Sequence, residues 1–266
     1  MAEIQAVAAL TAYLVGSIER ARASESPFYH LEFDHVFPED VYAAMLREMP
    51  DTRDYRPLPG RDNVNILEDG SATRVKIDLF PEYIRNLPAP KRELWTVVGR
   101  ALCSAAVRDA FVRRLAPPLE RRFGAGYRDV GMFPIPILTR DVPRYRIAPH
   151  TDTKWKGITV QFYLPPDDST RHIGTIFHER RADGSMPQVC KMPFLPNSGY
   201  AFAVGSDTWH SADPVGPEVK TRDSILHTYF VDSGPLRIVR NRARRVGNFI
   251  GNELRHLTRR NGNQVR

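Results

Sequence analysis

The sequence has few of the features that mark secreted or membrane-spanning proteins. Only two cysteines, Cys103 and Cys190, occur among its 266 residues, and neither has a second cysteine at CxxC spacing. This scarcity argues against a disulfide scaffold and predicts two reduced thiols. The chain also lacks a run of roughly 20 uninterrupted apolar residues, and no basic stretch precedes its apolar N-terminus. We therefore expect a cytoplasmic protein without a membrane span or an export signal.

Positive charge is concentrated in the last part of the chain. The formal net charge is +7, yet residues 236–266 alone contain nine arginines and a single acidic residue, Glu253. The rest of the chain is therefore close to neutral. Apolar residues recur at helical spacing within the same stretch, at Val246, Phe249, Ile250, Leu254 and Leu257. This pattern predicts a basic helical tail over 233–266 that docks through its apolar side on the body or on a second subunit, which would make a homodimer.

The alternative is a nucleic-acid-binding tail, since clustered arginines are the usual contacts to phosphates. Interleaved aromatic residues, apart from Phe249, are missing from the tail. We therefore do not expect nucleic acid as a partner. A repair-type enzyme or a non-catalytic nucleic-acid protein stays open as the second function class.

Two stretches of the chain differ in their apolar pattern. Residues 1–127 read as mainly helical, with apolar residues every third or fourth position near 4–18, 41–49 and 94–102, and one possible strand at 28–33. Residues 128–232 consist of short apolar or alternating runs separated by Pro, Gly and Asp. The candidate strands are 130–139, 145–150, 158–164, 174–178, 200–204 and 224–231. Many short strands with turn residues between them predict an antiparallel sandwich or barrel, and we expect one catalytic domain with helices around it.

The segment around residue 150 contains two potential metal ligands on one side of a strand. His150 and Asp152 are two residues apart, so their side chains leave an extended strand on the same face. A single His-x-Asp or His-x-Glu pair is weak evidence, because His30 and Glu32 form a second one. The two pairs differ in their downstream sequence. After Asp152 an apolar strand leads to His210, and Arg222 stands twelve residues further on.

These residues match the requirements of one kind of iron site. Two histidines and one carboxylate on one face of a metal leave three positions open, which is the facial triad of non-haem iron(II) oxygenases. The open positions accept a bidentate 2-oxo acid and dioxygen. Arginine offers the planar pair of donors that binds the far carboxylate of such an acid.

The stretch from about Pro134 to Phe230 resembles the catalytic core of the iron(II)/2-oxoglutarate-dependent dioxygenase superfamily. The similar features are Pro-His-Thr-Asp, Phe-Tyr-Leu-Pro, Ile-Gly-Thr, the apolar strand that ends at His210, and Arg-Asp-Ser at 222–224. The upstream segment Phe28-Tyr-His-Leu-Glu-Phe-Asp-His-Val-Phe-Pro resembles the entry strand of the superfamily's small bacterial members. The resemblance implies an α+β fold with a double-stranded β-helix (jelly-roll) core. It implies His150, Asp152 and His210 as iron ligands, and Arg222 and Ser224 as residues that bind 2-oxoglutarate.

Alternation along the strand 158–164 adds two candidates. Val160, Phe162 and Leu164 share one face, which would pack on helices, whereas Thr159, Gln161 and Tyr163 share the other, which would line the barrel. Tyr163 stands where several members of the family place a tyrosine that binds the same carboxylate as the arginine. An ordinary solvent-facing polar row is the alternative for this face. Gln161 is a weaker candidate for the co-substrate.

The remaining polar residues of this region are interpreted as structural. Arg140, Arg144 and Arg146 are predicted to carry surface charge, Trp155 to lie on a loop, and three histidines to have no part in the site: His172, His178 and His227.

The leading hypothesis is thus an enzyme that uses iron(II), 2-oxoglutarate and dioxygen, with ascorbate as an aid in vitro. We expect it to hydroxylate an unactivated C–H bond of a small molecule, such as an amino acid, a peptide, a sugar or an intermediate of specialised biosynthesis, with release of succinate and carbon dioxide. Desaturation, ring closure and epoxidation stay open. A cupin-like isomerase or metal-binding protein on the same fold is a third possibility, and it would have no need of Arg222.

Overall fold

The structure is a computed structural model that describes residues 1–60 and 64–232. Within these residues the helices lie almost entirely in the first half of the chain. They are α1 (Ala2–Arg20), α2 (Glu39–Arg47), α3 (Pro81–Ile84), α4 (Ala89–Leu102), α5 (Ala105–Arg114) and α6 (Ala116–Phe123), with 3-10 turns at Thr52–Asp54 and Tyr127–Asp129. No helix among the described residues combines the length and the apolar character that a bilayer span requires.

The helices begin and pack as their sequences predict. Leu10, Leu14 and Ile18 lie on one side of α1 and are buried, because residues four apart share a helix face. This side of α1 contacts α4 and α5. Pro38 immediately precedes α2, and the hydroxyl of Ser104 accepts a hydrogen bond from the Val107 amide at the start of α5, as an N-terminal cap does.

Within the two described ranges, twelve strands form two antiparallel sheets. They are β1 (Arg22–Ser24), β2 (His30–Phe33), β3 (Arg56–Pro57), β4 (Arg74–Asp78), β5 (Met132–Asp141), β6 (Ile147–His150), β7 (Lys156–Tyr163), β8 (Gly174–His178), β9 (Gln188–Pro193), β10 (Gly199–Ala203), β11 (Trp209–Ala212) and β12 (Arg222–Val231). The large sheet has the order β1-β2-β10-β7-β12-β5-β4-β3, and the small sheet has the order β6-β11-β8-β9. The chain from β5 to β12 passes back and forth between them, which is the jelly-roll winding. The predicted fold class is therefore confirmed.

The two faces of the large sheet have different surroundings. Its outer face packs on the helices, and Val160, Phe162 and Leu164 belong to that hydrophobic cluster. Its inner face turns towards the small sheet, and Tyr163 lies there with Phe177 from β8. The alternation along β7 thus has the predicted sense, with the apolar face towards the helices and the mixed face towards the interior of the jelly roll.

Several elements were not predicted from the sequence. Strands β9 and β11 and helices α5 and α6 are additional, and β3 and β4 lie in the stretch that reads as mainly helical. In β4 the inward-facing residues are charged, at Arg74, Lys76 and Asp78, and all three take part in ion pairs, although Asp78 alone of the three is buried. A hydrophobic pattern therefore does not reveal this strand. The predicted tail over 233–266, with its apolar stripe, lies outside the described residues.

Candidate active site

Three potential metal ligands meet at one end of the jelly roll. His150 is the last residue of β6, His210 lies in β11, and the two are direct cross-strand partners. Their ring centroids are 4.4 Å apart. Asp152 comes two residues after His150, and one ligand atom from each of the three side chains lies within 4.8 Å of the others. The structure therefore brings together the triad that the sequence predicts.

Both histidines are oriented in the same way by the backbone. Nδ1 of His150 lies 3.0 Å from the carbonyl oxygen of Ala148, and Nδ1 of His210 lies 3.0 Å from that of Thr208. A carbonyl oxygen only accepts, so Nδ1 donates in both rings and Nε2 keeps a free lone pair. Burial lowers the pKa of His210 to about 4 and also lowers the pKa of His150. Neutral imidazoles with a fixed tautomer suit metal ligation.

The carboxylate of Asp152 is held from both sides. The Lys156 ammonium donates to Oδ1 at 2.6 Å, and the Thr159 hydroxyl donates to Oδ2 at 2.6 Å. Burial opposes ionisation of this carboxyl, but Lys156, His210 and the two hydrogen bonds outweigh it and hold its pKa well below the usual range. One ionised carboxylate with two neutral imidazoles is a donor set that fits a divalent iron ion.

A buried guanidinium lies at the other end of the interior. Arg222 begins β12 with a side chain only 1% exposed. One of its terminal nitrogens donates to Asp141 Oδ2 at 3.0 Å, and the other lies 3.5 Å from Thr175 Oγ1. Within the described chain its Nε has no hydrogen-bond partner. The rings of Tyr163 and Phe194 lie 5.5 and 5.4 Å from its central carbon. A buried cation with spare donors is arranged to bind an anion.

Tyr163 lies beside this guanidinium, as predicted from strand alternation. Its hydroxyl donates to Thr175 Oγ1 at 2.8 Å, so the ring and the threonine border the same space. Burial raises the pKa of Tyr163, although Arg222 acts against this, and the group therefore remains a neutral donor. Arg222, Tyr163 and Thr175 thus converge on one polar pocket.

Ser224 and Gln161 form a neighbouring network that bonds mainly to itself. Gln161 Nε2 donates to Ser224 Oγ at 2.8 Å, and the Tyr200 hydroxyl donates to Gln161 Oε1 at 2.7 Å. Thr139 Oγ1 lies 2.8 Å from the same serine oxygen. These partners use most of the hydrogen-bonding capacity of Ser224 and Gln161. Both residues therefore shape the wall of the interior more than they offer free groups to a ligand.

The inner face of β7 connects the two ends of the site. Thr159 contacts Asp152, Gln161 lies in the middle, and Tyr163 lies beside Arg222. Alternate residues of a strand are about 7 Å apart. The wall therefore runs from the three potential metal ligands to the guanidinium.

A cavity of about 500 Å³ opens on the outer side of Asp152. It is bordered by α6 and by the loop between β10 and β11, and Arg121 and Lys154 give it positive charge. The Arg122 guanidinium donates to three backbone carbonyls, those of Lys154, Lys156 and Val204. These hydrogen bonds hold the backbone at Lys156, whose ammonium pairs with Asp152.

Several residues of the site were missed by reasoning from the sequence: Arg74, Asp141, Lys156, Thr159, Thr175 and Tyr200. Strand register brings Arg74 and Asp141 beside Arg222. Lys156 and Thr159 lie close to Asp152 in the chain but carry no motif. The surface role predicted for Arg140 is wrong. Its side chain is 10% exposed and pairs with Asp223, because it points to the outer face of the sheet, where a 3-10 turn covers it. Trp155 lies on a loop and is 45% exposed.

No family model and no curated protein matches the chain. Solved structures do match. A Pseudomonas putida prolyl-4-hydroxylase aligns at 17% identity with a TM-score of 0.48, over 84% of this chain and 99% of its own. A prolyl hydroxylase from Trichoplax adhaerens, in complex with a hypoxia inducible factor peptide, aligns at 11% identity and TM-score 0.49, over 86% and 93%.

A third structure is SnoN, a non-haem alpha-ketoglutarate-dependent epimerase from nogalamycin biosynthesis. It aligns at 11% identity and TM-score 0.48, over 83% of this chain and 82% of its own. At such identities the site residues of this chain have to be assigned from its own geometry.

In this chain His150, Asp152 and His210 lie close together inside the jelly roll. Two histidines and one carboxylate are a ligand set that non-haem iron(II) sites use.

Proposed function

We propose that this chain is an iron(II)- and 2-oxoglutarate-dependent oxygenase that hydroxylates an unactivated C–H bond of a small molecule. The observation that carries the proposal is the pairing of two groups in one interior. A triad of metal ligands lies at one end, and a buried arginine with spare donors lies at the other. A 2-oxo dicarboxylic acid is the kind of molecule that needs both.

His150, Asp152 and His210 would hold the iron. When bound, iron(II) with 2-oxoglutarate and dioxygen supplies the oxidising power that places oxygen on the substrate and releases succinate and carbon dioxide. The protein supplies orientation. The backbone carbonyls of Ala148 and Thr208 fix the two imidazoles, and Lys156 and Thr159 fix the carboxylate.

Arg222, Tyr163 and Thr175 would hold the far carboxylate of the co-substrate. Arg222 contributes a charge-assisted pair of N–H donors and Tyr163 a further hydroxyl. The interior around them excludes water, since Phe177, Phe194 and Phe202 are fully buried nearby. Exclusion of water strengthens the ion pair, because the local dielectric constant is low. Ser224 and Gln161 are proposed as the side wall of the same pocket.

The substrate is proposed to be a small molecule that approaches from the cavity beside Asp152. Its volume of about 500 Å³ is within the usual range of small-molecule sites. Hydroxylation is the proposed outcome, while desaturation, ring closure and epoxidation would use the same residues. Halogenation is disfavoured, because Asp152 fills the position that related halogenases leave open for halide. We also propose that the chain acts as one catalytic domain in the cytoplasm.

The test is formation of succinate from 2-oxoglutarate by the full-length protein with iron(II), oxygen and ascorbate, with and without a panel of small molecules. We expect a slow reaction without substrate and a faster one with the correct compound. His210→Ala should show neither. Succinate formation that is equal in wild type and His210→Ala would contradict the proposal. A protein that binds iron but shows no affinity for 2-oxoglutarate would favour the cupin-like alternative.

A further inference from the structure

Arg222 does not stand alone but belongs to a row of three charged residues across the large sheet. Arg74 in β4 is the direct cross-strand partner of Asp141 in β5, and Asp141 is the direct partner of Arg222 in β12. Cross-strand partners point to the same face of a sheet. All three side chains therefore project into the interior of the jelly roll.

Asp141 is shared between the two arginines. Arg74 binds it with two parallel hydrogen bonds, Nε to Oδ1 at 2.6 Å and a terminal nitrogen to Oδ2 at 3.0 Å. Arg222 reaches the same Oδ2 with one nitrogen at 3.0 Å. Asp141 is fully buried, and the side chains of Arg74 and Arg222 are 12% and 1% exposed. The Arg74 guanidinium also lies over the ring of Tyr145, 4.4 Å from its centroid, which fixes its plane.

The charge of this row does not cancel. Two guanidiniums are always ionised and face a single carboxylate, so the row carries one positive charge in a buried place. The next carboxylate along β4, Asp78, is already bound by Arg56 and Lys76. A buried unbalanced charge is unfavourable unless an opposite charge arrives. One carboxylate of a ligand would make the row neutral.

We propose that Arg74 is a positioning residue that neutralises Asp141 and thereby keeps the charge of Arg222 available for the far carboxylate of the co-substrate. Without Arg74, Arg222 and Asp141 would form a neutral pair. An incoming carboxylate would then add an unbalanced negative charge beside this neutral pair in a region of low dielectric constant. This inference rests on the proposed function, since it concerns the residues around the same pocket.

The test is the dissociation constant of 2-oxoglutarate, measured by calorimetry on the iron(II)-loaded full-length protein without oxygen. Arg74→Met removes the charge with little loss of volume and should weaken binding roughly 10- to 100-fold. Asp141→Asn should bind no more weakly than wild type. The double variant Arg74→Met with Asp141→Asn returns the row to a single positive charge and should restore affinity to within about threefold of wild type. Iron affinity should be unchanged throughout.

A purely structural role for Arg74 would give a different order of dissociation constants. The double variant loses even more contacts, so it should then bind 2-oxoglutarate as weakly as Arg74→Met or more weakly. That result, or unchanged affinity in Arg74→Met, would overturn the proposal. If Arg74→Met does not fold, Asp141→Asn decides, because weaker binding in it contradicts the charge count. A wild-type protein without affinity for 2-oxoglutarate would instead refute the proposed function. Loss of affinity in Arg222→Ala alone would leave that function standing and reject only the role of Arg74.

Discussion

The protein has two interiors that bury polar groups in different ways. Between the two sheets, His210 shares its surroundings with His150 and Asp152, and Arg222 keeps an unused donor. Between the large sheet and the helices, His227 lies among apolar and aromatic groups, and within the described residues neither ring nitrogen has a hydrogen-bond partner. In that same outer layer all donor nitrogens of Arg140 have acceptors.

Burial alone therefore does not mark the candidate site. His210 and His227 are both buried, and burial lowers the pKa of both, to about 4 and about 3. The two interiors differ in how such groups are arranged. Between the two sheets, several side chains that each keep an unused lone pair or an unused N–H donor lie close together. The matched residues of the outer layer are thus suitable controls for the residues of the inner layer.

The largest difference is expected for the two histidines. His210→Ala removes a metal ligand, so iron should no longer bind stoichiometrically and turnover should fall to background. His227→Leu, in the outer layer, should keep both. Metal content after dialysis and succinate formation measure the two effects. Iron retained by His210→Ala with full activity would show that another residue completes the triad.

The two arginines give the next comparison. Arg222→Ala should weaken binding of 2-oxoglutarate by on the order of 2–4 kcal/mol, because the carboxylate loses a charged, hydrogen-bonded partner in a buried place. Arg140→Ala should leave this affinity unchanged but lower the free energy of unfolding by about 3 kcal/mol, since Asp223 loses its buried partner. Calorimetric titration and urea unfolding check these expectations. Equal loss of affinity in both variants would remove the distinction between the two layers.

The stability of the protein should depend on pH through His227. Its pKa is about 3 in the folded chain, whereas its ordinary value is 6.5. Below pH 6.5 the unfolded state therefore binds a proton that the folded state does not bind. The contribution of neutral His227 to the free energy of unfolding is present at neutral pH and is lost as the pH falls from 6.5 towards 3. Between pH 7 and pH 5 the free energy of unfolding of wild type should fall by about 2 kcal/mol relative to His227→Leu. Parallel pH profiles of the two proteins would mean that His227 finds a partner or is protonated in the folded state.

The smallest effect is expected for the threonine that orients the metal ligand. Thr159→Val removes the hydrogen bond to Asp152 Oδ2 and should weaken iron binding about 10-fold, as loss of a group that orients a ligand does. Thr159→Ser keeps the hydroxyl and should bind iron almost as wild type does. An iron titration of both variants separates the hydroxyl from the change in shape. Equal weakening in both would assign the effect to packing.

Much of the site could be predicted from local patterns. His150 and Asp152 lie close together as their spacing predicts, and Arg222 begins a strand after His210. The predicted apolar strand ending at His210 is wrong, because β10 ends at Ala203 and His210 lies in the separate strand β11. The position of Tyr163 on the inner face is a consequence of alternation along β7. Arg74 and Asp141 could not be predicted in this way. Their role depends on which strands become neighbours, and β4 itself has a charged inner face that conceals it.

The sequence by itself predicted the jelly-roll class, which the fold confirms, and it indicated His150, Asp152, His210 and Arg222 as candidate site residues from the order and spacing of chemically distinctive residues. Only the tertiary structure decided which buried polar groups have partners. It placed Arg74, Asp141 and Arg222 in one row across neighbouring strands. It also paired Arg140 with Asp223 and packed His227 against aromatic rings. The physical reason is that hydrogen bonds and ion pairs between strands are set by sheet register, and register joins residues more than 60 positions apart in the chain.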